Sequence, residues 1–232
     1  LKDCIDVDNK LIENKKIYPE TIDLLLKISK LTDRIKNEIK GKKLTYSISS
    51  KNIETDVYTF FYQVFGNDIR SSGNALNPVP TGKNIFDLSK RTNAFIKAFR
   101  RNNKPSEPTL IVLDAIRNSF ESQYFKDRYS AYYLVSVNTS DDERIRRLSL
   151  NMSKKQIEGI DFTEENKGKR PIYNQNIAEC IQAADIHINN PYSNIEEKYF
   201  LTYQIVKYVM LMKHPGLITP THVERCMQLA YN

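Results

Sequence analysis

Residues 109–114 read TLIVLD, residues 131–137 read AYYLVSV and residues 186–189 read IHIN. Short apolar runs of this kind predict strands covered on both faces, as in a parallel sheet. The chain between them is long enough for helical crossovers. The expected fold is therefore α/β, a doubly wound parallel sheet flanked by helices. Asp114 closes the first run, at the strand end where open α/β sheets face their ligand crevice.

Working outward, Ile22, Leu25, Leu26, Ile28 and Leu31 recur at helical spacing and predict a helix over 18–40, stopped by Gly41. LTYSI at 44–48 predicts a strand. Val57, Phe60, Phe61, Val64 and Phe65 give 56–70 the apolar face of a core helix. Gly73, Pro78, Pro80 and Gly82 mark 71–83 as a loop. Asn84 then caps a helix reaching about Arg101, with Phe86, Leu88, Phe95, Ile96 and Phe99 available for burial. Further on, DDERIRRL at 141–148 starts a helix. Another runs from about Ile195 to Met212, ended by His214-Pro215-Gly216, and Thr219-Pro220-Thr221 opens a new one. The expected organisation is an α/β domain over 1–194, a linker helix over 195–213 and the start of a further domain over 214–232. The chain opens on Leu1 without Met and stops inside its last helix, so more chain is expected on both sides.

The 232 residues carry 35 Lys and Arg against 28 Asp and Glu, a formal charge of +7, with a pI of about 9.1. The basic clusters are scattered among acids rather than gathered on one stripe with aromatics beside it, which disfavours nucleic acid as the partner. A small anionic ligand suits the charge equally well. No apolar run approaches the roughly 18 residues of a membrane span. Only Cys4, Cys180 and Cys226 are present, too few for a disulfide framework, so a reducing cytoplasm is the expected compartment.

Two kinds of chemistry are excluded by subtraction. A zinc centre needs several close ligands, and the three His and three Cys offer only His222 and Cys226 four residues apart. A phosphate-cradling loop needs Gly, four residues, then Gly-Lys-Ser/Thr. Gly82-Lys83 is followed by Asn84 and Gly168-Lys169 by Arg170, so neither fits. The remaining candidates each have two readings. Asp114 either holds Mg²⁺ at the strand end or caps the next turn. Arg117 meets a phosphate or stays at the surface. Arg144, Arg146 and Arg147 follow three acids in a helix. That order satisfies the helix dipole unaided, or makes a lid whose arginines neutralise a phosphoryl group. Tyr124, Phe125, Tyr129, Tyr132 and Tyr133 read as core packing rather than base stacking.

The run DAIRN at 114–118, the aromatic-rich segment after it and RYSA at 128–131 resemble the P-loop kinase-like domain of two-domain deoxycytidylate deaminase-like proteins. In these bacterial proteins, which include the anti-phage dCTP deaminases, that domain precedes the deaminase. YNQN at 173–176 and ADIHINN at 184–190 look like the end of the same domain, and dephospho-coenzyme A kinases share a related Ala-Asp…Asn ending. HPGLITPTHVERCMQLAYN at 214–232 is similar to the first helix of the deaminase domain. The resemblance spans about 86–232 and lacks both the phosphate loop and the His-x-Glu and Cys-x-x-Cys zinc patterns. It implies a deoxynucleotide ligand, an assembly of identical chains, and zinc in the deaminase part of an intact relative. It gives Asp114 and Arg117 a nucleotide-facing role, with Arg144, Arg146 and Arg147 as lid residues. The 232 residues alone are expected to be catalytically inert. Two other readings stand beside it, a nucleotide or coenzyme A kinase whose phosphate loop lies upstream, and a purely structural interaction module.

Overall fold

Gly41 adopts φ +76° and ends α1 (Tyr18–Ile39), because a residue without Cβ enters the left-handed region at no steric cost. In the computed structural model, which describes residues 18–48, 51–102, 109–114, 116–164, 171–190, 195–214, 216, 217, 219, 221–223 and 226, contacts divide the chain into two units. The first comprises 1–129 and 148–183, the second 130–147 and 184–232.

In the first unit α1 leads into an antiparallel hairpin of β1 (Lys43–Ile48) and β2 (Lys51–Asp56), paired from Lys43↔Asp56 to Ile48↔Lys51. Asp56 then caps α2 (Val57–Ser72), its Oδ1 accepting from the Thr59 amide at 2.8 Å. Gly73 closes α2 at φ +80°. α3 (Asp87–Asn102) starts three residues later than Asn84, whose carbonyl accepts the Asp87 amide. α4 (Ser119–Lys126), α6 (Lys154–Glu164) and α7 (Ile177–Gln182) complete the unit. Its core is Ile53, Ile96, Ala98, Tyr124, Phe125 and Ile157. Tyr124 and Phe125 meet edge to face at 5.5 Å, and the Tyr129 hydroxyl donates to Asn93 Oδ1 at 2.6 Å. These three aromatics pack as expected, whereas Tyr133 is exposed.

β2 was not expected as a strand, since KNIETD has one strongly apolar residue. That residue, Ile53, is 1% exposed, and α6 lies against it through Gly159. A Cβ on Gly159 would stand 2.5 Å from Ile53 Cγ2 and 3.1 Å from the Glu54 carbonyl. Of the expected apolar face of α2, Val57, Phe60, Val64 and Phe65 are half-buried and Phe61 is exposed, while the fully buried residues of that helix are Gln63, Arg70 and Ser71. Arg70 turns inward because it pairs with a buried carboxylate on α4.

In the second unit β3 (Val135–Asn138) and β4 (Ile186–Asn189) pair in parallel, from Val135↔Ile186 to Asn138↔Asn189. Asp185 sets the register. Its backbone amide donates to the Leu134 carbonyl at 2.8 Å, and its Oδ2 accepts from the Leu134 amide at 2.8 Å. α5 (Asp141–Leu148) begins in this unit, and α8 (Ile195–Lys213) packs on β4. The protein is thus α/β with small sheets.

Two of the three expected parallel strands are present and adjacent. The third run, 109–114, joins neither ladder. Its Leu110 and Val112 are 78% and 84% exposed, and its continuation at Asn118 is fixed within the first unit. Coverage on both faces is likewise not observed for β3. Ser136 is buried while Val135 and Val137 are exposed, as in a ladder packed on one side. Most of the helix expected after Thr219 lies outside the described residues. No helix among them is long and apolar enough to cross a membrane.

Candidate functional site

Asn118 organises the region where the sequence placed its candidates. It is 2% exposed and serves as N-cap of α4, its Oδ1 accepting from the Phe120 amide at 2.9 Å. Its Nδ2 donates to the carbonyls of Ile172 at 2.9 Å and Asn174 at 2.8 Å. All the hydrogen-bonding capacity that a buried carboxamide must satisfy is thereby engaged. Next to it, the Arg117 carbonyl accepts the Asn176 amide at 2.8 Å, and Asn176 caps α7. Arg117 and Asn118 are therefore stitched to the 172–176 stretch by both backbone and side chain.

The Arg117 guanidinium pairs with Glu164 at the end of α6, with the arginine side chain 35% exposed. Asp114 is exposed. Nothing in the sequence announced Glu164, which lies 47 residues from its partner and belongs to no motif.

A second charged pair is more deeply placed. Arg70 Nε lies 2.7 Å from Glu121 Oε1, with both side chains 5% exposed, and Arg70 Nη1 also donates to Asn67 Oδ1 at 3.2 Å. Burial is the main cause that pushes the Cys180 thiol up to about 11. The negative charges of Glu121 and Glu179 add to it, and Arg70 opposes it. The thiol is protonated at neutral pH, so Cys180 is neither a ready nucleophile nor a ready metal ligand. His222 Nε2 and Cys226 Sγ approach to 3.6 Å. Among the described residues no three His, Cys, Asp or Glu side chains come together to hold a metal ion. The zinc implied by the resemblance has no fitting donor set there.

The other candidates lie in the second unit. Arg146 grips Glu143 in bidentate fashion, with Nε to Oε2 and Nη2 to Oε1 both at 2.7 Å. Arg147 Nε adds a third bond at 2.6 Å, and its Nη2 donates to the Asn190 carbonyl at 3.2 Å. The Arg146 contact, reinforced by Arg147, outweighs desolvation and holds the Glu143 carboxyl at about 2. Arg144 is half-buried. Acids first and bases later in α5 thus produce an intrahelical i,i+3 and i,i+4 network, the reading that needs no ligand. Asp114 and Arg117 fall in the first unit, and Arg144, Arg146 and Arg147 in the second.

A cavity of about 300 Å³ opens in the first unit between β1, α2, α6 and the 171–176 turn region. The Tyr46 and Phe60 rings, with centroids 4.9 Å apart, and Val64 supply its apolar wall. Gln63, Asn67, Thr163 and Asn174 supply polar groups. The sequence reading did not single out any of these as site residues, although it quoted Asn174 within the YNQN run. Thr163 precedes Glu164, the partner of Arg117, and Asn174 is the residue whose carbonyl Asn118 holds. The cavity and the Arg117 region therefore share their supports. Comparison of the chain with protein families, with curated proteins and with solved structures gives no match.

Proposed function

We propose that this chain is a nucleotide-binding, regulatory region of a cytosine deoxynucleotide (dCMP or dCTP) deaminase, with a kinase-like α/β ancestry and no catalysis of its own. One observation carries the reading. Arg117 and Asn118, from the most particular run of the resemblance, meet Asn174 and Asn176, from the run that resembles the end of the same domain, through Asn118 Nδ2 to the Asn174 carbonyl and the Asn176 amide to the Arg117 carbonyl. The parallel pairing of β3 with β4 supports it further. In this reading Arg117, half-exposed and steered by Glu164, faces the phosphates. Asp114 stands at the same end of its segment, the place for a water-bridged Mg²⁺.

Titration calorimetry and thermal shift with dCTP, dCMP, dTTP and dATP test the proposal. Saturable binding that raises Tm, weakened by Arg117→Ala, is expected, because a ligand at about 100 times its Kd stabilises by about 2.7 kcal/mol. Absence of any binding would refute it. A structural module is the second reading, and the engagement of Arg146 and Arg147 by Glu143 favours it. Phosphoryl transfer by a longer form of the protein would instead support the kinase alternative.

A further inference from the structure

We infer that α8 is the interface of a homodimer, in which two copies of this chain pair their α8 helices antiparallel along one exposed seam. The surface belongs to the second unit and is independent of the nucleotide reading above. α8 spans 19 residues, about 28 Å at 1.5 Å per residue. After Lys198 its only charged residues are Lys207 and Lys213. A helix so apolar all round is ordinarily covered all round. Here one side stands open. Leu201, Gln204, Tyr208 and Met212 form a half-buried stripe, and α8 packs on β4. On the opposite side Tyr199, Tyr203 and Val206 are 72%, 66% and 53% exposed. Single exposed apolar residues need no explanation, but a contiguous patch marks an interaction surface.

The open side has the spacing of a helix–helix seam. Positions 196, 199, 203, 206, 210 and 213 follow one another at alternating steps of three and four, the repeat by which helices pair as a coiled coil. Met210, half-buried, ends the apolar part, and the exposed Lys213 lies beyond it. The seam thus begins at an acid, Glu196, and finishes at a base, Lys213. A two-fold axis between positions 204 and 205 sets Glu196 opposite Lys213 of the second copy. It sets Tyr199 opposite Met210 and Tyr203 opposite Val206 in the same way. Each ring then meets a smaller or more pliable side chain, and a thioether against an aromatic ring is itself favourable.

Charge selects both the occupant and its direction. A parallel pair would stack Glu196 on Glu196 and Lys213 on Lys213, like charges at both ends. Reversing one helix turns both ends into opposite-charge pairs while the apolar layers stay filled. The seam is therefore complementary to itself, and every contact occurs twice, as a two-fold interface requires.

Sedimentation equilibrium of the full 232-residue chain, from about 1 to about 200 μM, tests the proposal. A monomer–dimer equilibrium is expected. Tyr203→Glu, at an exposed position beside the axis, is expected to weaken the dimer at least tenfold and to leave the Tm of the dilute monomer unchanged. Glu196→Lys and Lys213→Glu are each expected to weaken it by about threefold to tenfold, since each puts like charges at both ends. The double change is expected to restore wild-type affinity. High salt should erase the single-charge effects and leave that of Tyr203→Glu. A chain that stays monomeric throughout the range would overturn the proposal. So would a dimer indifferent to Tyr203→Glu, which must use another surface. Single charge changes without effect at low salt would overturn the antiparallel pairing. A lowered Tm in the Tyr203→Glu monomer would overturn the proposal by showing that the seam is covered within its own chain. Binding of the monomer to anionic phospholipid vesicles without self-association would overturn it in favour of a lipid surface.

Discussion

Replacing Asn118 by Asp exchanges one atom for another of nearly equal size, yet reverses its role. Nδ2 donates to two carbonyls at 2.9 and 2.8 Å, and a carboxylate oxygen there would face both lone pairs with a negative charge. Two hydrogen bonds are lost, each worth about 1 kcal/mol, and a charge is left at a position 2% exposed. The surviving N-cap contact to the Phe120 amide returns about 0.3–1 kcal/mol, because an anion suits a helix N-terminus. The expected net loss is about 3–5 kcal/mol at pH 7.

Burial and the two carbonyls raise the folded-state pKa of the new acid above its unfolded value of about 3.9. The variant's deficit is therefore smallest below that value and grows as pH rises through the window up to the folded pKa, by about 1.4 kcal/mol per pH unit. Asn118→Ala removes the same bonds without adding a charge. It should cost about 2–3 kcal/mol, the cap contributing about 1 of these, with no added pH dependence. Urea denaturation of wild type and both variants from pH 4 to 8 measures the differences. An Asp variant within 1 kcal/mol of wild type at pH 7, or a deficit in the Asp variant that ignores pH, would refute the account of Asn118 as a fully engaged donor.

Four further outcomes are expected. Removing one member of the buried pair, by Arg70→Ala or Glu121→Ala, should cost about 3–5 kcal/mol, whereas the double change Arg70→Met with Glu121→Leu should come within about 2 kcal/mol of wild type. Equal losses in single and double variants by denaturation would contradict this. Gly159→Ala should destabilise by about 1–3 kcal/mol despite its better helix propensity, since its Cβ would meet Ile53 Cγ2 at 2.5 Å. A gain in Tm would show that the helix can shift away. Cys180, pushed up to about 11, should resist iodoacetamide at pH 8 while exposed Cys226 reacts, as mass spectrometry of peptides will read. Because its folded pKa lies above the ordinary 9.0, its contribution to stability is complete below pH 9 and is lost as pH rises from 9 towards 11. The Glu143 carboxyl should titrate near 2 by NMR and move towards 4.5 in Arg146→Ala, its ordinary value; an unmoved titration would dismiss the bidentate contact.

The parallel pair was legible because short apolar runs flanked by helix-length segments admit few arrangements, and Ile186–Asn189 and α5 fall where they were expected. β2 was not legible, since KNIETD places its one core residue among polar neighbours and depends on α6 to cover it. The run 109–114 misled for the opposite reason. Its local apolar content promised a central strand, but Asn118 commits the chain elsewhere through bonds to residues 54 and 56 positions away. Of the candidate site, Arg117 could be picked out by its place after Asp114. Its partner Glu164, and Gln63 in the cavity, could not. A glutamine inside an amphipathic helix reads as solvent-facing until the hairpin and α6 close over it.

The order of synthesis gives the two long-range closures a shared schedule. Asn118 waits for the carbonyls at 172 and 174, and Val135 waits for Ile186, so both depend on one late stretch of polypeptide. At about 5–20 residues per second, a gap of 54 residues leaves this part of the nascent chain open for about 3 to 11 s.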